Sequence, residues 1–195
     1  KSVLGGTTGL LDGPCYVVVE KWTGAVVRAG TFDDQNGQFW QYDGQTFSIG
    51  KRSSTFQLSG NVTAIPDSNL LNGVSTRFTS QLAVGDRIVV RGMTHIVTGI
   101  TNDTSLTISP DYRGTKTSSG VKVAKTIDFI YPQSKWNGDR CDGTNGPFNP
   151  SGYKIEPGKM QMIGLQWTWY GAGFIDWMLR GPEGKYIFVH RVRGN

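Results

Sequence analysis

Apolar and polar residues alternate in short runs through the middle of the chain. Alternating runs span 86–91, 94–100 and 105–108, with turn residues at Gly92-Met93 and Asn102-Asp103 between them, and a further run follows at 121–124. A period of two places successive side chains on opposite faces of a β-strand. Short alternating strands at this spacing predict a small antiparallel β-barrel.

The runs on both sides of this segment predict a second set of strands. Candidate strands span 15–20, 25–31, 38–42, 46–51, 126–131, 160–170, 173–179 and 185–192. Asp43-Gly44 is a strong hairpin signal between two of them, and residues 181–184 form the last turn. No run of ten residues has helical periodicity. About eight outer strands without a helix predict an all-β protein, an antiparallel β-sandwich or jelly roll.

Aromatic residues are distributed unevenly, which predicts how the strands are grouped. Between Leu58 and Thr126 the aromatic residues are Phe78 and Tyr112, whereas the flanking segments are rich in them. Such a shift suggests a separate small core nested inside a larger one. The predicted domains are a discontinuous outer sandwich at 1–57 and 127–195 and an inserted small β-barrel at 58–126.

Composition and charge narrow the class of protein. Hydrophobic residues make up 37% of the 195 residues, enough for a packed core. The net charge of +5 comes from basic residues spread along the chain, so a solvated surface is favoured over nucleic-acid binding. No apolar run reaches the length of a membrane-spanning helix, so no membrane span is predicted.

The ends and the cysteines leave questions that the pattern does not settle. The chain starts at Lys1 without an initiator Met and stops at Asn195 directly after a predicted strand, so we expect a segment of a longer protein. Cys15 and Cys141 lie far apart in the sequence, and two buried thiols are at least as compatible with this spacing as a disulfide.

Acidic turns are the first candidates for metal chemistry. Residues 33–37, DDQNG, carry carboxylates, but the same residues make an ordinary β-turn, which we favour. The loop 137–146 is the better calcium candidate, since it offers Asp139, Asp142 and Asn145. It lacks the regular ligand ladder of a calcium-binding hand, and Arg140 would repel a cation, so a structural loop is favoured there too.

Catalytic motifs are not evident in the sequence. A zinc site needs three or four converging ligands, and the chain has only His95, His190 and two distant cysteines. Ser53-Ser54 lacks the glycine-flanked context of a nucleophilic serine, and no pair of carboxylates stands out. We therefore expect no catalytic residues and no cofactor other than, at most, calcium.

Tryptophans near the C-terminus suggest a binding surface or a core layer. In the run Trp167-Thr168-Trp169-Tyr170, alternation places Trp167 and Trp169 on one face of a strand. Exposed, the two rings would form a platform for glycan stacking; buried, they would form part of the sheet core. The core interpretation is favoured.

Several segments resemble a known family. They are 30–37 (GTFDDQNG), 51–54 (KRSS), 132–139 (PQSKWNGD) and the stretch from Met160-Gln161-Met162 to Leu179-Arg180-Gly181. Together they resemble large virion structural proteins of tailed bacteriophages, notably T4-like phages of marine cyanobacteria. The inserted segment, with residues 73–78 and 82–86, resembles small β modules of phage tail and fibre proteins. The resemblance covers nearly all of residues 24–195.

The resemblance implies a non-enzymatic virion component with a lectin-like jelly roll as its outer fold. Its expected location is the phage particle, in the tail, the baseplate or a fibre. Its expected partners are other virion structural proteins and further copies of itself. The alternatives are a carbohydrate-binding adhesion module that contacts a host surface glycan, and a head decoration protein.

Overall fold

A computed structural model describes residues 2–5, 15–19, 27–156, 159, 161–167 and 173–193. Within these ranges the protein contains fifteen β-strands in one sheet of ten strands and one of five, a single turn of α-helix and a 3₁₀ turn. Every register that the structure defines between strands is antiparallel. The prediction of an all-β antiparallel protein is confirmed.

The strands run as follows: β1 Ser2–Gly5, β2 Cys15–Val19, β3 Val27–Phe32, β4 Gly37–Tyr42, β5 Phe47–Gln57, β6 Asn61–Ala64, β7 Leu70–Val74, β8 Arg87–Val90, β9 Met93–Asn102, β10 Ser105–Ser109, β11 Ser118–Val121, β12 Val123–Pro132, β13 Gln161–Trp167, β14 Phe174–Arg180 and β15 Tyr186–Arg193. The α-helical turn α1 spans Phe78–Gln81, and the 3₁₀ turn spans Gln133–Lys135. No helix in the described ranges is long and apolar enough to cross a membrane.

The chain divides into two compact units. The first comprises the ranges 1–31, 38–51 and 130–195, and the second comprises 32–37 and 52–129. The predicted insert, 58–126, lies inside the second unit. Strands β5 and β12 each begin in one unit and end in the other.

The first unit is a sandwich built around tryptophan. One layer is the sheet β1-β2-β13-β14-β15, and the other contains β4 and the first part of β5. The ring of Trp40, from β4, lies 5.1 Å from the ring of Trp136 and 6.3 Å from that of Trp177, which is on β14. All three are almost fully buried. Large aromatic rings dominate the energetics of such cores, so this cluster holds the two layers together.

The second unit closes on itself. Its strand order is β11-β6-β7-β10-β9-β8-β12, followed by the second part of β5. In a flat sheet β11 and β12 would lie about 29 Å apart, at about 4.8 Å per strand. In the chain they are separated by Lys122 alone, and one intervening residue spans only about 7 Å. The sheet must therefore curl until its two sides meet, as in the predicted small barrel.

One core fills the curled sheet of the second unit. Every strand from β6 to β10, together with β12 and α1, contributes a buried apolar side chain. These side chains include Val62, Ala64, Leu71, Phe78, Ile88, Val90, Val97, Leu106, Ile108 and Val123. Because successive strand residues point to opposite faces, this face is buried while the opposite face carries polar and half-buried residues.

Candidate functional site

Two predicted turns have the expected structure. The Asp33 carboxylate accepts hydrogen bonds from the N–H groups of Gln35 and Asn36, both at 2.7 Å. Donation from Asn36, and then from Gln35, lowers the pKa of Asp33. The Asp43 carboxylate accepts from two backbone N–H groups in the same way, and Gly44 adopts a φ of 99°. The predictions of a turn at residues 33–37 and of a hairpin at Asp43-Gly44 are confirmed.

Asp139 is a structural residue of its loop. Its side chain is buried, and Oδ1 accepts a hydrogen bond from the Cys141 N–H while Oδ2 accepts one from the Ser151 N–H, each at 2.8 Å. Both carboxylate oxygens therefore serve the backbone of the loop between residues 139 and 151. The carboxylate joins the two ends of this loop.

The other two calcium candidates lie further along the same loop. Oδ1 of Asp142 accepts hydrogen bonds from the hydroxyl and the N–H of Thr144, and these lower the pKa of Asp142. Asn145 is exposed. In the described part of the chain, no three His, Cys, Asp or Glu side chains converge as a metal site would require. Calcium binding by Asp139, Asp142 and Asn145 stays a prediction.

The side chains of Cys141, His95 and His190 are buried. Cys141 is a free thiol, and burial, followed by the neighbouring Asp139 carboxylate, raises its pKa far above the usual value. His95 is fully buried, with Nδ1 2.7 Å from the carbonyl oxygen of Pro110. His190 is buried in β15, where Nδ1 accepts a hydrogen bond from the Asn137 N–H at 3.2 Å. Each of these groups packs within the fold.

Of the two tryptophans predicted to share a face, Trp167 lies within the described residues. Trp167 ends β13 and is 37% exposed, so the core interpretation is wrong for this residue. Burial decreases along the strand: Ile163 is buried, Leu165 is half-buried, and Trp167 lies beyond the edge of the core. Trp169 lies outside the described residues. Glycan stacking by Trp167 and Trp169 stays a prediction.

The outer surface of β13, β14 and β15 carries a cluster that the sequence analysis did not single out. We call it the aromatic–arginine face. It consists of Met162, Met178, Arg180, Tyr186, Phe188 and Arg191. Trp177 and Leu179, which alternate with its β14 members, point into the core. Tyr186 is 46% exposed and Phe188 38% exposed, so two rings are open to solvent.

A glycine forms the floor beneath one of these rings. A Cβ atom on Gly164 would lie 2.9 Å from Cε1 of Tyr186 and 3.4 Å from Cε of Met178. No side chain larger than hydrogen fits there without moving the ring. The Tyr186 hydroxyl lies 3.7 Å from the sulfur of Met162, and Nη1 of Arg180 lies 3.4 Å from the same atom. Gly164 thus lets the tyrosine ring approach the backbone of the sheet closely.

An ion pair fixes the guanidinium at the other side of the face. Nε and Nη2 of Arg191 donate to the two carboxylate oxygens of Asp176, at 2.6 and 2.7 Å. The same guanidinium stacks 3.6 Å from the ring centroid of Phe174 and lies 5.8 Å from that of Phe188. The contact with Asp176 raises the pKa of Arg191. A bidentate pair combined with stacking on a ring leaves a planar cation little freedom to reorient.

Part of this face was visible in the sequence. Alternation along 173–179 places Asp176 and Met178 on the side opposite Trp177. The contribution of β15 was not visible, because a register shift opposite Trp177 and Met178 places Val189 and His190, two consecutive residues, both inside. A strict period of two fails at such a bulge.

No family model matches the chain, and no curated protein does. One similar solved structure is the phage phi92 endosialidase, with a TM-score of 0.27 and 10% sequence identity over 94% of this chain. The chain spans about a third, 35%, of the length of that protein. At this level the similarity supports no conclusion about fold or activity.

Proposed function

We propose that this chain is a non-enzymatic structural component of a tailed-phage virion, part of the tail, the baseplate or a fibre, that acts through contacts between subunits. The observation that carries the proposal is the aromatic–arginine face, an ordered and solvent-exposed surface on the outer sheet of the first unit. The sequence resemblance to virion structural proteins agrees with this role.

The composition of the face suits a protein partner. Tyr, Phe, Met and Arg are the residue types enriched at the centres of protein interfaces, where Lys, Glu and Ser are depleted. Tyr186 and Phe188 have few rotatable bonds, and the ring of Tyr186 lies on Gly164. Ordering such side chains on binding costs little entropy.

The charge of the face defines the partner further. The Asp176 carboxylate is paired with Arg191, whereas the Arg180 guanidinium contacts only a backbone carbonyl and a sulfur among the described residues. The face therefore carries a net positive charge. A complementary subunit would present an apolar centre for the two rings and carboxylates for Arg180.

Incorporation into particles tests the proposal. A phage that carries this chain would be prepared with the wild-type sequence, with Tyr186→Ala, and with Lys185→Ala as a matched control, since the Lys185 side chain is 85% exposed on the adjacent residue. Mass spectrometry of purified virions should find the wild-type and Lys185→Ala chains and much less of the Tyr186→Ala chain. Absence of the wild-type chain from virions would refute the virion role. Equal incorporation of all three would refute the role of the face.

A carbohydrate-binding adhesion module is the second candidate, and the exposed rings of Trp167 and Tyr186 favour it. Flat aromatic surfaces stack on sugar rings, and polar groups such as the Asp176–Arg191 pair would orient the hydroxyls. A glycan array, run with and without calcium, separates the two functions. Binding that Tyr186→Ala abolishes would favour adhesion, and loss of virion incorporation without glycan binding would favour assembly. Detection of the chain on heads alone would point to a head decoration protein.

A further inference from the structure

Residues 137–139, which we call the strap, cover the outer edge of β15. The N–H of Gly138 donates to the Val189 carbonyl at 3.0 Å, and the N–H of Asp139 donates to the Phe188 carbonyl at 2.9 Å. β15 is the last strand of its sheet, so these bonds occupy backbone groups that would otherwise be unpaired. Unpaired edges recruit other strands, and proteins commonly cover them.

The side chain of Asn137 continues this pairing like a piece of backbone. Its Oδ1 accepts from the Arg191 N–H at 2.8 Å, and its Nδ2 donates to the Arg191 carbonyl at 3.0 Å. One amide side chain thus satisfies both backbone groups of one strand residue. Four hydrogen bonds therefore join the strap to the backbone of β15. Two involve the backbone of the strap, and two involve the Asn137 side chain.

A fifth bond joins the strap to a histidine. The backbone N–H of Asn137 donates to Nδ1 of His190 at 3.2 Å, so Nδ1 must be the unprotonated nitrogen of a neutral imidazole. The ring is buried, and its other nitrogen, Nε2, has no hydrogen-bond partner among the described residues. A second proton would have to sit on Nδ1, where it would point at the Asn137 N–H.

We propose that His190 is a proton-sensitive latch for the strap: protonation of its imidazole releases residues 137–139 from the edge of β15. An imidazolium has two donors and no acceptor, so it cannot accept the Asn137 N–H. The cation is satisfied only if the strap moves away and water reaches the ring. The latch is closed when His190 is neutral and open when it is charged.

The groups that face His190 do not offset the positive charge that protonation would place on its imidazole. The Tyr131 ring, from β12, lies 4.8 Å from the imidazole, and Trp177 lies opposite on β14. On the strap, the Asp139 carboxylate is bound to the N–H groups of Cys141 and Ser151. On its own strand, Arg191 is paired with Asp176. Burial is the cause that lowers the pKa of His190, so the closed strap resists protonation.

The lowered pKa of His190 determines how the stability of the closed strap changes with pH. The open state, in which the imidazole is solvated, binds a proton near the ordinary value of about 6.5, and the closed state binds it only at lower pH. The closed strap is therefore fully favoured above about pH 6.5 and loses its advantage as the pH falls below that value. A tenfold change in the open fraction is expected for each pH unit between the two pKa values.

Hydrogen exchange of the 195-residue chain, corrected for the intrinsic pH dependence of exchange, tests the latch. Protection of the Gly138 and Asp139 amides should fall as the pH is lowered from about 7.5 to about 5, by about tenfold for each pH unit between the two pKa values. In His190→Asn, whose side-chain oxygen replaces Nδ1 as the acceptor, protection should not change with pH. Amides of β9, which contains the chain's other histidine, His95, serve as the internal control.

Each outcome decides the proposal. Constant protection of the strap in the wild type, or an equal loss in His190→Asn, would overturn it. If His190→Asn does not fold, an NMR titration of the wild type gives the answer. The His190 ring proton and the Asn137 amide should then titrate with one midpoint, and two different midpoints would refute the coupling.

Discussion

Replacement of Asp139 by alanine is expected to destabilise the first unit strongly. Asp139 is 4% exposed, and its carboxylate accepts one hydrogen bond at each oxygen, from the N–H groups of Cys141 and Ser151. Removing an acceptor from a buried donor costs about 1–3 kcal/mol. Cys141 is buried, whereas Ser151 is exposed, so water can partly replace the hydrogen bond that the Ser151 N–H loses. The expected loss in the free energy of unfolding is about 2–4 kcal/mol.

Urea unfolding followed by tryptophan fluorescence measures this loss selectively. All six tryptophans of the chain fall within the ranges of the first unit, so the signal reports on that unit alone. Asp139→Asn keeps one acceptor oxygen and should lose about half as much. Glu183→Ala is the matched control, because its side chain is 81% exposed, and it should change the free energy of unfolding by about 0.5 kcal/mol or less.

Calcium distinguishes the structural role of Asp139 from the predicted ligand role. An ion bound to the folded state would raise stability with its concentration. The two internal hydrogen bonds of Asp139 lead us to expect the same unfolding midpoint with calcium and with a chelator. A loss below about 0.5 kcal/mol in Asp139→Ala would refute the hydrogen-bond reasoning. Stabilisation of the wild type by calcium that disappears in Asp139→Ala would show that Asp139 binds the ion.

Three further substitutions or reactions test other parts of the structure. Gly164→Ala should push the Tyr186 ring off the sheet and lower virion incorporation, at a cost of about 1 kcal/mol in urea unfolding because an exposed ring can yield; unchanged incorporation would contradict this. Leu71→Ala, in the core of the second unit, should cost about 2–5 kcal/mol and reduce hydrogen-exchange protection in β6 to β10, whereas Val74→Ala on the exposed side of the same strand should not. Cys141 should resist iodoacetamide in the folded protein and react in urea, as peptide mass spectrometry will show, because burial raises the pKa of its thiol; rapid labelling of the folded protein would refute this.

The strands that the sequence predicted are those with clear alternation. β8, β9 and β10 were found within two residues of their predicted ends, because apolar and polar residues alternate through them. β6 and β7 were not predicted. β6 is only four residues long, and β7 combines two adjacent leucines with Gly73, so neither shows a period of two. Their place in the barrel depends on pairing with β10 and β11, which local pattern does not reveal.

The sites depend on contacts between distant segments and were harder to predict. Asn137 and Arg191 are paired although 54 positions separate them, and nothing in the residues around either one signals the other. Asp139 was a calcium candidate in a loop for which a structural role was favoured, and the sequence did not show that both of its oxygens accept hydrogen bonds from the backbone at Cys141 and Ser151. Turn carboxylates such as Asp33 were predictable, since their donors lie two and three residues away.

Because its two ends meet, the barrel of the second unit can be carried within a chain at little entropic cost. The N–H of Leu58, just after β5, donates to the Val123 carbonyl at the start of β12 at 2.9 Å. The segment between these residues therefore leaves and returns at almost one point. Because loop-closure entropy grows only with the logarithm of loop length, a segment whose ends are already joined adds little to the entropic cost of folding its host. A whole folded barrel occupies the position that a short turn could fill.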